Sequence, residues 1–163
     1  MEHTYYLFEK SEFNIILNKM PIWFKEVEIL GDESRGSIIL HTQNDFDDYW
    51  GANAKMELDW VKLEREDFYH PREVQKSMDV YTSINYAITK KNNDILNSHN
   101  ITWWRGQRRK RVTTTIYIEK CIHAIFYCEY SKRVMNMHCG IIDEYFGRFE
   151  PYIIDAFKSI ECH

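Results

Sequence analysis

The chain has 163 residues, of which 44% are hydrophobic and 28% charged, a length and balance suited to a single globular core and far from a disordered chain. Twenty-one Lys and Arg stand against 25 Asp and Glu, a net charge of −4 that argues against a general nucleic-acid coat. The N-terminus lacks a basic region followed by an apolar stretch, and the apolar runs fall far short of the ~20 residues of a membrane helix, so a cytoplasmic protein without membrane association is expected.

No repeat, low-complexity tract or linker divides the sequence, so residues 1–163 are read as one domain. Tyr5-Tyr6-Leu7-Phe8 suits a short strand. Ser11 is placed to cap a helix to about residue 18, with Phe13, Ile16, Leu17 and Met20 at helical spacing and Pro21 as its stop. Strands are expected over 27–30 and 37–42, separated by the turn-rich 31–36. Met56-Glu57-Leu58-Asp59-Trp60 alternates apolar and acidic residues, the pattern of a strand with one wet face. Pro71 opens a second helix. Val74, Met78, Tyr81, Asn85 and Ile88 carry its spacing to about residue 91, where Asn92-Asn93-Asp94 closes it. Strand-like stretches follow over 101–105, 112–118, 122–130 and 134–138, and Glu150-Pro151 opens a closing helix striped by Ile153, Ile154, Phe157 and Ile160. The fold class that results is α+β, a single domain in which an antiparallel meander carries packed helices.

Sets of chemically active residues are present but incomplete. Cys121, His123, Cys128, His138 and Cys139 suggest zinc, yet an unbroken strand puts Cys121 and His123 on one face and Cys128 on the other. No Cys-x-x-Cys pair supplies a local chelate, and Cys162 with His163 stands far along the chain. No metal and no cofactor are expected, and without an export signal the four cysteines are expected to be reduced. A Cys–His nucleophile lacks a third orienting group. Asp45, Asp47 and Asp48 with His41 nearby offer carboxylates for a metal-assisted nuclease, but no Glu-x-Lys, Asp-x-Lys or Gly-rich phosphate loop accompanies them. No catalytic residue is assigned, and the chain is expected not to be an enzyme.

Two charged clusters remain. From Asn44 to Tyr69 lie eight acids: Asp45, Asp47, Asp48, Glu57, Asp59, Glu64, Glu66 and Asp67. Three cations oppose them, and Phe46, Tyr49, Trp50, Trp60, Phe68 and Tyr69 are interleaved. Carboxylates steer a basic protein while aromatic anchors hold it, so Asp45, Asp47, Asp48, Tyr49, Trp50, Glu57, Asp59, Trp60, Glu64 and Asp67 are the candidate partner-binding residues. The bland alternative is a wetted loop and strand face with the rings turned inward. The opposite cluster is Trp103, Trp104, Arg105, Arg108, Arg109, Lys110 and Arg111. These residues suit phosphate contact and base stacking, or else a solvated hairpin that turns at Gly106, keeps its charges in water and anchors the strand to the core through the Trp pair.

The element order resembles the PsbP/DcrB-like α+β architecture. The likeness is carried by an N-terminal segment reaching Pro21-Ile22-Trp23, the middle helix, the meander, and a closing helix ending in Ala156-Phe157-Lys158-Ser159-Ile160. The sequence departs from the DcrB group in showing no lipoprotein signal. Its acidic, aromatic-rich composition is also similar to that of bacterial immunity proteins that neutralise contact-delivered toxins. That resemblance implies a non-enzymatic protein whose partner is a cognate toxin domain, with a nuclease as one candidate. Nucleic acid is the partner only in the alternative reading.

Overall fold

A computed structural model describes residues 4–42, 54–112 and 114–163. Among the described residues, ten strands and two helices run in the order β1 Tyr5–Lys10, β2 Ile15–Pro21, β3 Phe24–Gly31, β4 Arg35–Thr42, β5 Lys55–Lys62, α1 His70–Ser83, β6 Ala87–Leu96, β7 His99–Val112, β8 Thr115–Cys128, β9 Arg133–Ile142, α2 Asp143–Lys158 and β10 Ile160–Glu161. The fold class is α+β, as expected, and every strand pairing is antiparallel.

Seven strands form one sheet in the order β3-β4-β5-β9-β8-β7-β6, and β1-β2-β10 form a second. The small sheet and α2 cover one face of the large sheet. Their joint core includes Ile15, Leu17, Met56, Leu58, Trp60, Met135, Met137, Ile153 and Phe157. Helix α1 covers part of the opposite face, packing Val74 against Ile125, Tyr127 and Val134. With elements on both faces, β8 is buried at every position from Cys121 to Cys128, which explains its continuous apolar run.

Several expected elements take other forms. Where a helix is expected at 11–18, only a single 3-10 turn at Ser11–Phe13 forms. Asn14 then adopts a left-handed φ of 52° and swings the chain into β2, where Ile15 and Leu17 are fully buried. Helix α1 begins at Pro71's turn as expected but ends at Ser83, not residue 91, because Asn85 is left-handed at φ 73°. The polar residues Lys90 to Asp94 belong to β6, an edge strand of the large sheet, and their charges suit an unpaired edge. Helix α2 starts seven residues before the expected Glu150 and carries Pro151 within it. A proline there forgoes the bond to the Gly147 carbonyl, at a position where the helix is exposed.

The expected turn at Gly106 is absent. Gly106 lies mid-strand in β7, opposite Cys121. A Cβ there would stand 3.1 Å from the Ala87 carbonyl and 3.3 Å from the Cys121 sulfur, so crowding accounts for the glycine. The strand continues to Val112 before the chain reverses into β8.

Candidate functional site

Strand β5 divides the acidic stretch in two. Residues 43–53, with Asp45, Asp47, Asp48, Tyr49 and Trp50, precede its first end and lie outside the described residues. Glu64, Glu66 and Asp67 follow its other end, about 25 Å away at the rise of an eight-residue strand. Glu57 and Asp59 lie between, half-buried on the α1 side of the sheet. Trp60 alternates to the other face, where it is 2% exposed, packs against Phe13 and donates its N–H to the Asp32 carbonyl. Trp60 is therefore a core residue, and its ring is not available to a partner.

The β5–α1 connection and the β8–β9 turn form one surface. Leu63 N–H donates to the Lys132 carbonyl at 2.8 Å, and the Tyr127 hydroxyl donates to the Leu63 carbonyl at 2.8 Å. Arg65 pairs with Glu129 at 2.5 Å, and Lys132 pairs with Glu64 at 3.2 Å. Phe68 anchors the connection from beneath, stacked on Tyr127 with centroids 4.3 Å apart. Two rings stay outside: Tyr69 is 61% exposed and Tyr130 is 77% exposed. Glu64, Glu66, Asp67 and Glu129 thus share one end of the sheet with Arg65, Lys132 and two open tyrosines. Sequence reasoning included Glu64 and Asp67 but missed Glu129 and Tyr130. The available signal was an acid and a ring side by side in a turn between two strands.

The basic segment is also divided. All of Trp103 to Arg111 lies in β7, so successive side chains alternate between faces. Trp103 is 8% exposed and faces the α2 side, where it stacks on Phe157. Trp104 is 1% exposed on the other face, parallel to His123. Neither indole is placed to stack a base; both anchor the strand in the core, as the hairpin alternative expects, while the turn itself lies elsewhere. Arg105 pairs with Glu150 of α2. Arg108 and Lys110 converge on the buried carboxylate of Glu119, at 3.2 and 3.1 Å. Arg109 and Arg111 are exposed.

Beneath the C-terminal half of α1 lies a polar cluster that the sequence did not announce. It lines a small cleft of about 140 Å³ with Lys55, Glu57, Tyr81, Tyr86, Arg108 and His138 among its walls. Lys55 pairs with Glu57 at 2.5 Å, and the Tyr86 hydroxyl donates to Glu119. His123 contacts His138 across their Nδ1 atoms at 3.1 Å, and its Nε2 meets the Asn136 Oδ1 at 2.9 Å. Burial lowers the His123 pKa to about 4 and holds His138 well below the ordinary histidine value. Burial also raises Asp59 to about 6, helped by Glu57, and pushes the Cys121 thiol up to about 12. These shifts favour neutral groups, the opposite of an activated thiolate nucleophile. The arrangement is a buried polar network filling a sheet face.

The cysteines separate as alternation requires. Cys121 faces α1 and Cys139 the main core, both free and buried. Cys128 and Cys162, expected to be reduced, are joined as a disulfide closing 34 residues. Distance along the chain concealed this pair, since β10 returns beside β2 and brings Cys162 back to the end of β8. His99 and His163 stand against the same two sulfurs. Among the described residues, no helix is long and apolar enough to cross a membrane.

No family model and no curated protein matches this sequence. Solved structures do. A cyanobacterial PsbP, CyanoP from Synechocystis, is similar with a TM-score of 0.65 at 6% identity, over 96% of this chain and 91% of the other. Protein PA94 of Pseudomonas aeruginosa, of unknown function and titled a candidate regulator, gives 0.57 at 11% identity, over 94% and 93%. The Ran-binding protein Mog1p of Saccharomyces cerevisiae gives 0.55 at 8% identity, over 91% and 90%. At such identities the likeness concerns architecture, and the chain has a PsbP- and Mog1-like α+β fold.

Proposed function

We propose that this chain is a non-enzymatic protein-binding domain of the immunity type, which docks a basic toxin domain and blocks it. The observation that carries the reading is the interlocked surface at the β8–β9 end of the large sheet. There Glu64, Glu66, Asp67 and Glu129 outnumber Arg65, Arg72 and Lys132, while Tyr69 and Tyr130 stand open. Carboxylates accelerate encounter with a cationic partner, and exposed tyrosines supply contact area at low entropic cost. The acids of residues 45–48 extend the charge in sequence.

One protein of similar fold, Mog1p, is a Ran-binding protein, which supports a binding role for this architecture. The experiment is calorimetric titration of the chain against a basic toxin domain encoded beside it, paired with survival of cells expressing that domain. A saturable complex and rescued growth support the reading. Absence of both removes it.

A further inference from the structure

We propose that His99, Cys128, Cys162 and His163 bind one Zn²⁺ ion tetrahedrally when the Cys128–Cys162 disulfide is reduced. One ligand atom from each of the four residues lies within 4.8 Å of all the others. Cys162 Sγ stands 3.6 Å from His99 Nε2 and 3.5 Å from His163 Nδ1, and Cys128 Sγ stands 3.7 Å from His163 Nδ1. A tetrahedral zinc with bonds of ~2.3 Å to sulfur and ~2.0–2.1 Å to imidazole nitrogen holds neighbouring S and N ligands about 3.6 Å apart. The three sulfur–nitrogen separations therefore already match the edges of that tetrahedron.

The fold holds the donors from several sides. His99 begins β7 and also hydrogen-bonds the backbone of Tyr127, which orients its ring as an outer-shell partner orients a metal ligand. Cys128 ends β8, and the Cys162 carbonyl accepts from Arg133 at 2.8 Å. His163 stacks on Tyr130 with centroids 4.3 Å apart. The two cysteine Cα atoms are 6.6 Å apart, near the upper end of the disulfide range. Rotation about the Cα–Cβ bonds then suffices to part the sulfurs to the roughly 3.8 Å of two thiolates on one zinc. Two thiolates and one divalent ion also sum to zero charge, which suits a site where His99, Cys128 and Cys162 are buried.

A dithiol reductant attacks one sulfur, the S–S bond breaks, and two electrons and two protons pass to the cysteines as the reductant leaves as its own disulfide. Zn²⁺ then displaces one proton from each thiol and gains two bonds from sulfur and two from neutral imidazoles. Disulfide and metal are mutually exclusive on the same sulfurs, so the site reports the thiol redox state of its surroundings.

The test uses the full chain, reduced by a dithiol, freed of reductant without oxygen, and titrated with Zn²⁺ or Co²⁺ alone. The expected result is one metal per chain, two protons released, and the thiolate charge-transfer and visible bands of tetrahedral cobalt. The oxidised chain should show none of these. Cys128→Ser with Cys162→Ser should abolish uptake, while Cys121→Ser with Cys139→Ser should retain it. His163→Gln, at an exposed position, should weaken binding by at least about tenfold. A folded reduced chain that takes up no metal overturns the proposal. So does undiminished binding in the His163→Gln or the Cys128→Ser/Cys162→Ser variant.

Discussion

The ring of Tyr81 lies face to face on the imidazole of His138, centroids 4.0 Å apart and planes 14° from parallel. Trp104 covers His123 in the same way at 4.6 Å. The Asn136 carbonyl oxygen accepts from His123 Nε2–H, which leaves Nδ1 of that ring as the acceptor for His138 Nδ1–H. A proton added to His123 is set against that donor at a buried position.

Acid sensitivity follows. The folded His123 pKa is depressed to about 4 from 6.5, so the unfolded chain binds the proton first as pH falls. Stability is full above the unfolded value and is lost as pH drops from 6.5 through about 4, by about 3 kcal/mol for this residue, with His138 adding in the same direction. Asp59 opposes it. Its pKa is raised from 3.8 to about 6, a contribution present below 3.8 and lost as pH rises through 6. Asp59→Asn should therefore raise the urea midpoint at neutral pH and steepen the loss between neutral pH and about pH 4.5. An unchanged slope in that variant would contradict the opposing role of Asp59.

Arg133 is wholly buried, and among the described residues it makes no ion pair, although the charge of Glu33 acts on it from nearby. Its guanidinium donates to the carbonyls of Phe13 at 2.5 Å, Asn14 at 3.0 Å, Cys162 at 2.8 Å and, more weakly, Glu33 at 3.4 Å. These four acceptors come from the turn before β2, the β3–β4 turn and the segment after β10, so one cation ties the small sheet to β9. Arg133→Met fills similar volume but leaves the carbonyls unsatisfied. A loss of roughly 3–5 kcal/mol is expected in chemical denaturation. A loss under about 1 kcal/mol would mean that water replaces the guanidinium there.

Two adjacent arginines should behave differently. Arg108 lies 4.5 Å over the Tyr86 ring and pairs with Glu119, whose carboxylate is 5% exposed, whereas Arg109 points outward. Arg108→Met should cost about 2–4 kcal/mol, since among the described residues Lys110 and Tyr86 are left to satisfy that carboxylate. Arg109→Met should stay within about 0.5 kcal/mol. Thermal melts of the two variants make the comparison. Equal losses would remove the distinction between a structural cation and a solvated one.

The limits of the sequence follow the same division between local and non-local effects. Strands β1, β3, β4, β5 and β9 were legible because their alternation or β-branched runs record burial on one or both faces. Strand β6 was not, because an edge strand needs polar residues, and Lys-Lys-Asn-Asn-Asp resembles a helix stop followed by a loop. The turn at Ser11–Phe13 was misread because Phe13, Ile16 and Leu17 fit a helical spacing, and only Asn14's left-handed backbone diverts them into β2. The cluster of His123, His138, Tyr81 and Glu119 draws on α1, β8 and β9, residues up to 57 positions apart, and no spacing rule reaches that far. The same holds for His99 beside Cys162. The burial of Trp60 and Trp103 was available from alternation, but a count of acids and rings along 44–69, or of cations and indoles along 103–111, ignores which face each residue takes.

The proposed docking surface makes a separable prediction. Glu66 and Asp67 are exposed in the β5–α1 connection, and Tyr69 is open beside them. Glu66→Lys with Asp67→Lys should leave the melting temperature nearly unchanged, since substitutions at such positions typically alter stability within about 0.5 kcal/mol. The same pair should slow association with a cationic toxin domain and flatten the salt dependence of the on-rate. Tyr69→Ala should act instead on dissociation, as the loss of a contact anchor does, by about tenfold if the ring is buried in the complex. Surface plasmon resonance at two ionic strengths separates these effects. If charge reversal leaves the on-rate intact while the complex still forms, the partner binds elsewhere, and the acids before β5 at 45–48 become the next positions to reverse.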